Sequence, residues 1–261
     1  MFVRKINLLQ YSKKNRFDIV VNLAAQAGVR YSIEKPEKYF DSNMVGFFNV
    51  LNLSRIYAIK HFIFASTSSV YGNNKNFPLK EHHNTDHPIS FYAATKKSNE
   101  VLAYSYSYIY KIPITGLRFF TVYGPMGRPD MALFKFTKSM LENKKFDVYN
   151  HGNHIRDFTY VDDVINAIEK LIKKKPKGKI PYDIFNIGSN SPKPLMQFIN
   201  IIKEYLSIKP QIKFKKLQKG DIHKTHASIE KLNKKINYLP KTNLKLGIHK
   251  FLNWYKSHYI K

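Results

Sequence analysis

His61-Phe62-Ile63-Phe64-Ala65-Ser66 is a short, nearly continuous apolar run that ends in the hydroxyl cluster Ser66-Thr67-Ser68-Ser69. Its length and composition read as a strand. Upstream, Asp18-Ile19-Val20-Val21-Asn22-Leu23 is apolar and β-branched between polar flanks, the pattern of a buried strand. The small-residue loop Ala24-Ala25-Gln26-Ala27-Gly28 follows it. Between the two strands a helix is expected from about Pro36 through Ile59, the proline being tolerated in a first turn. Downstream come a long loop, a helix over about 89–110 and a strand over 112–119. Strands alternating with helices indicate right-handed βαβ units and a parallel sheet, so the fold class is α/β.

Beyond Met126 the pattern is less regular. Helices are expected near 132–143, 162–174, 194–206, 228–237 and 244–255, with a strand over Tyr182-Asp183-Ile184-Phe185-Asn186-Ile187. The lysine-rich stretch 173–179 reads as a solvated connector. No internal repeat is visible.

The chain of 261 residues is long enough for one sizeable core, or a core with a satellite lobe. It has no cysteine, which excludes disulfides, thiolate catalysis and zinc-thiolate sites. No window is apolar for long enough to span a bilayer, and the first residues do not open a secretory signal, so a cytoplasmic protein is expected. The formal charge of +26 arises from 37 Lys and only 7 Arg, with the lysines spread along the whole chain. Specific nucleic-acid recognition favours clustered Arg, so no specific nucleic-acid partner is expected. The few arginines stand out against that background: Arg30, Arg118, Arg128 and Arg156.

In open α/β sheets, ligands bind outside the carboxyl ends of the strands, where residues 24–28, 66–69 and 119–124 fall. Tyr92 and Lys96 are four apart on an amphipathic helix, so their side chains leave one face. An ammonium near a phenol favours phenolate and lowers the phenol pKa. With the hydroxyl of Thr67, the trio offers a general base, its activator and a positioning donor. Tyr106 and Tyr110 share the same spacing and read as core or dimer-face aromatics. His82, His83 and His87 lie in a loop without acidic or cysteine partners at ligand spacing, so they read as surface histidines and no metal is expected.

The chain resembles the extended short-chain dehydrogenases/reductases, specifically nucleotide-sugar epimerases of the UDP-glucuronate 4-epimerase type. The matching stretches are Asn22-Leu-Ala-Ala-Gln-Ala-Gly-Val-Arg30, Ala65-Ser-Thr-Ser-Ser-Val-Tyr-Gly72 and Tyr92-Ala-Ala-Thr-Lys-Lys97. Further matches are Gly116-Leu-Arg-Phe-Phe-Thr-Val-Tyr-Gly-Pro125, Gly127-Arg-Pro-Asp-Met-Ala132 and Arg156-Asp-Phe-Thr-Tyr-Val-Asp-Asp163.

The resemblance implies that Tyr92 takes a proton from the sugar's 4-hydroxyl while hydride passes from C4 to NAD. The 4-keto sugar then turns over and regains the hydride on its other face. It also implies that Lys96 binds the nicotinamide ribose, and that Thr67 and Ser68 hydrogen-bond the reacting oxygen. Related 4,6-dehydratases carry Asp-Glu after the equivalent threonine. Ser68-Ser69 stand there in this chain, which favours epimerase over dehydratase.

Arg128, assisted by Thr121, is implied to face a C6 carboxylate, which a guanidinium fork suits. Arg156 resembles a diphosphate-binding arginine, and Asp157 and Asp162 are expected to brace its loop. Gln218-Lys219-Gly220-Asp221 resembles a Gln-Pro-Gly-Asp segment near the nucleotide, with Lys219 in the proline's place. Ala24, Ala25, Gln26 and Asn43 match positions lining the cofactor. Arg30 either approaches the substrate or caps its loop.

Family members open with a strand, a Gly-x-x-Gly-x-x-Gly turn and a helix that bind the NAD pyrophosphate. Nothing in these 261 residues matches that turn. Residues 5–17 read as the helix before the fourth strand. The expected architecture is therefore an incomplete Rossmann-like parallel sheet with helices on both faces and a smaller α/β C-terminal substrate lobe. Residues 1–125 form the C-terminal part of the NAD-binding domain, lacking its first three strands. Residues 126–261 form the nucleotide-sugar lobe, with 145–190 partly returning to the sheet. The implied partners are a UDP-sugar substrate, a second copy in a homodimer and a separately encoded N-terminal half. The rival reading is a non-catalytic truncated remnant or one half of a split epimerase.

Overall fold

The computed structural model describes residues 17–260. The helix expected over 5–17 lies, apart from Phe17, outside the described residues. Four parallel strands form the main sheet in the order β1 (Ile19–Asn22), β2 (His61–Thr67), β3 (Ile114–Phe119) and β7 (Tyr182–Ile187). Every residue of β2 is buried, as its continuous apolar run demands.

Side chains of a strand alternate between faces, and β2 shows what each face meets. Phe62 and Phe64 pack with Phe47 and Leu51 of helix α3 (Gly46–Ile56) and with Ala103 of α4 (Phe91–Tyr110). Ile63 points the other way, toward Val164, Ile168 and Leu171 of α6 (Val161–Ile172) and Leu232 of α8 (Glu230–Ile236). Helices thus cover both faces. Gly116 of β3 has no side chain for a close-packing reason: a Cβ there would stand 2.9 Å from the Phe64 ring.

Between β1 and β2 the expected helix is not one regular rod. After the single turns α1 (Tyr31–Glu34) and α2 (Pro36–Tyr39), residues Phe40–Val45 form a π-turn before α3 begins. A π-turn inserts an extra residue, and such turns concentrate at functional sites. The chain leaves α3 at Ile56, earlier than the expected Ile59, with Ala58 in a left-handed conformation.

The remaining residues build a lobe that periodicity alone did not resolve. Strand β4 (Thr121–Tyr123) pairs in parallel with β6 (Ile155–Tyr160), which pairs antiparallel with β8 (Pro192–Pro194). Strand β5 (Phe146–Val148) pairs with β9 (Ile212–Phe214). Helices α5 (Ala132–Leu141), α7 (Leu195–Leu206) and α9 (Leu244–Tyr259) close around them, sharing a core of Phe134, Phe158, Phe198, Phe251 and Tyr123. No helix among the described residues is long and apolar enough to cross a membrane.

Candidate active site

Helix α4 starts where Ser90 Oγ accepts a hydrogen bond from the Ala93 amide (3.2 Å), a side-chain cap that fixes its first turn. Tyr92 and Lys96 therefore leave the helix beside the carboxyl end of β2. Thr67 ends that strand; its Oγ1 accepts from the Ser69 amide (3.2 Å) and so caps the 3₁₀ turn Ser68–Tyr71. A cavity of about 680 Å³ opens here and is lined by Ala25, Thr67, Ser68, Tyr92, Lys96, Thr121, Arg128 and Arg156.

The electrostatics differ from the expectation that Lys96 activates Tyr92. Lys96 is buried, and its Nζ donates to the Ala65 carbonyl at 2.7 Å, not to the phenol. Burial pulls its pKa down to about 8. The phenol of Tyr92 is itself pushed up by burial; a side-chain hydrogen bond from Thr67 and the positive charge of Arg128 pull against that shift. Arg128, the carboxylate-binding candidate, thus contributes a positive charge that favours the phenolate. The ring of Tyr92 meets Tyr39 edge-on at 6.1 Å, and the Tyr39 hydroxyl donates toward the carbonyls of Ala27 and Gly28, holding the loop after β1.

Behind the cavity lies a pair that sequence reading did not connect. Glu100, one helical turn beyond Lys96, accepts from Ser66 Oγ (2.6 Å) and from Arg118 Nε and Nη2 (both 2.9 Å). Both side chains are about 4–5% exposed. Burial works against the Arg118 charge, but the hydrogen bonds and charge of Glu100 outweigh it and hold its pKa up. The pair ties α4 to β2 and β3 directly behind Thr67. A sequence signal existed: Tyr92, Lys96 and Glu100 repeat every four residues, and Arg118 is one of the seven arginines.

Not every expected residue reaches the cavity. Asn43 is buried and acts as a brace: its Oδ1 accepts from the Gln26 amide (2.8 Å) and its Nδ2 donates to the Gln26 carbonyl and Thr95 Oγ1 (both 3.0 Å). Ala24, Gln26 and Gln218 stand outside the cavity wall, and Gln218 Oε1 is buried without a partner. Arg156 lines the cavity, but its Nη1 and Nη2 donate to the carbonyls of Ile155, Ile222 and His223. Burial lowers its pKa to about 10.

Arg30 reaches Asp221 (3.1 Å) and stacks over Tyr149, linking the loop after β1 to the 218–221 segment. Asp157 accepts from Ser189 and Ala227, a bracing role. His82 is exposed and stands edge-on to His83. No group of three potential metal ligands occurs among the described residues.

A phenol, a hydroxyl and a buried ammonium at the carboxyl end of a parallel sheet define a site of the short-chain dehydrogenase/reductase type. The sequence profile of the NAD dependent epimerase/dehydratase family matches residues 3–188, so the chain belongs to that family and is an NAD-dependent epimerase. It is 50% identical over 258 residues to protein CapI of Staphylococcus aureus, covering 94% of this chain and 77% of that one. It is 39% identical over 257 residues to a probable UDP-glucuronate 4-epimerase of Rhizobium meliloti (strain 1021), covering 93% and 75%. The crystal structure of UDP-glucuronic acid 4-epimerase from Bacillus cereus, in complex with UDP-glucuronic acid and NAD, superposes with a TM-score of 0.89. That match has 32% identity and covers 98% of this chain and 79% of that one.

Proposed function

We propose that this epimerase inverts C4 of a UDP-linked hexuronic acid, converting UDP-glucuronate to UDP-galacturonate through a 4-keto sugar. One observation carries the reading: Thr67, Tyr92 and Lys96 converge on a cavity whose wall also holds Thr121 and Arg128. Tyr92 removes the proton of the 4-hydroxyl, and Thr67 and Ser68 hold the reacting oxygen. Arg128 and Thr121 receive the C6 carboxylate, which a guanidinium fork matches better than an ammonium. Arg156 and Gln218 belong to the nucleotide side of the same reading. The relatives named above, one a probable UDP-glucuronate 4-epimerase and one solved with UDP-glucuronic acid, support this choice.

Bound NAD supplies a hydride acceptor and donor for C4. The residues lining the cavity suit its nicotinamide end: Lys96 and Tyr92 stand at the wall, and Ala25 and Gly28 keep the neighbouring loop thin. Ala24, Gln26 and Asn43 extend that contact by shaping the loop. The 261 residues hold no glycine-rich turn for the cofactor's diphosphate. Among the described residues nothing pairs with the outer edge of β1, and we assign that edge to the segment carrying such a turn, whether in the same polypeptide or separately encoded.

Exposed Phe48 on α3 and Val101, Tyr104, Tyr108 and Ile109 on α4 form the face we assign to a homodimer.

The test is to incubate the protein with UDP-glucuronate and NAD and follow UDP-galacturonate by proton NMR. Tyr92→Phe is expected to lower turnover by about 10²–10⁴-fold while UDP-glucuronate still binds. Wild-type turnover in Tyr92→Phe, or no binding of any UDP-sugar by the wild type, would refute the proposal.

A further inference from the structure

The fork assigned to the substrate carboxylate already holds one. Arg128 Nε donates to Asp130 Oδ1 at 3.0 Å, and Nη2 donates to Oδ2 at 2.8 Å, the two-pronged geometry that a uronate would adopt. The Met131 amide bonds the Arg128 carbonyl (3.1 Å), closing a four-residue turn with Pro129 in its second position. Proline's fixed φ favours that position, so the turn brings the carboxylate to the fork with little conformational entropy left to lose. Arg128 and Met131 line the cavity, whereas Asp130, between them in sequence, grips the fork from outside the wall. Asp130 also lies beside Gly28, its Oδ2 3.8 Å from where a Cβ on that glycine would stand.

We propose that Asp130 is a built-in occupant of the Arg128 fork that a substrate carboxylate must displace, which makes it a specificity-determining residue. The proposal rests on the UDP-hexuronate reading given above. Exchanging Asp130 for a uronate replaces one carboxylate by another at the same guanidinium, so the fork is not left as an unpaired cation. A hexose with a neutral hydroxymethyl group has no charge with which to compete, and it leaves the Arg128–Asp130 pair intact. The two side chains are 45% and 54% exposed, so the pair is weak and the exchange is easy. An exposed pair of this kind is worth about two- to five-fold in an equilibrium.

The experiment is calorimetric titration of the full chain with UDP, UDP-glucose and UDP-glucuronate. It compares the wild type, Asp130→Asn, Arg128→Gln and the double variant. Asp130→Asn is expected to tighten UDP-glucuronate about two- to five-fold and to leave UDP and UDP-glucose unchanged. Arg128→Gln is expected to remove the preference for the uronate, and adding Asp130→Asn to it should restore nothing. Unchanged melting temperatures would show that all variants fold.

Equal tightening of all three ligands by Asp130→Asn, no change, or weaker uronate binding overturns the proposal; the last result would make Asp130 a support for Arg128. In each of those cases the hexuronate reading survives if the wild type prefers UDP-glucuronate. A wild type that binds UDP and both sugars alike sinks the hexuronate reading and this inference together.

Discussion

Replacing Arg118 by Met should be among the most damaging single changes in the molecule. Glu100 would keep Ser66 Oγ as a donor but lose both guanidinium bonds, inside a region where its side chain is about 5% exposed. Removing one partner of a buried pair costs about 3–5 kcal/mol, because the remaining charge stays out of water without compensation. Glu100→Leu should cost about as much, since it strands the guanidinium.

Changing both at once is the informative step. With neither charge present, the loss falls to the bonds of the neighbours left behind. Ser66 Oγ loses its acceptor and the Glu81 carbonyl loses Arg118 Nη1, at about 1 kcal/mol each. The double variant should therefore cost about 2 kcal/mol, less than either single change. Equilibrium urea denaturation followed by circular dichroism measures all three. Against a usual domain stability of about 5–15 kcal/mol, the single changes remove about a fifth or more. Single losses below about 1 kcal/mol, or a double loss equal to the sum of the two, would refute the account of a buried charge pair.

Lys96 gives a pH signature. Its folded pKa of about 8 lies below the ordinary 10.5, so between these values the unfolded chain holds more protons than the folded one. Stability from this group must then rise as pH climbs from 8 to 10.5, by on the order of 3 kcal/mol, and fall again as pH drops back toward 8. The difference between wild type and Lys96→Met in urea melts across that range should show the rise; a flat difference would contradict it. Asn43→Ala should cost about 2–3 kcal/mol by stranding the Gln26 amide and carbonyl, and should speed hydrogen exchange at that amide; unchanged exchange would count against the bracing role. Ile109→Glu on the exposed face of α4 should yield monomers by light scattering where the wild type gives dimers, and a wild-type monomer would remove the dimer proposal.

The strands missed by sequence reading have a common cause. β4, β5, β8 and β9 are three residues each, too short for a period of two to declare itself, and they exist because partners distant in sequence supply their hydrogen bonds. Residues 155–160 were legible as a motif but not as a strand, since Arg156 and Asp157 interrupt the apolar pattern. The π-turn at Phe40–Val45 was hidden for a related reason. It turns Asn43 inward against Gln26 and Thr95, and neither partner is near it in the chain.

From the order of its residues alone this chain declared alternating strands and helices, a parallel sheet, and a phenol four places from an ammonium on one helix face. Those features depend on chain periodicity and near neighbours, which the sequence states outright. Which groups the charges meet was settled only by the tertiary fold. Lys96 donates to the Ala65 carbonyl, Arg128 contributes positive charge near Tyr92, Asp130 fills the Arg128 fork, and Glu100 finds Arg118 eighteen residues away. The physical reason is that burial and through-space distance set the strength and direction of electrostatic interactions, and both arise only when the sheet and its helices close on one another.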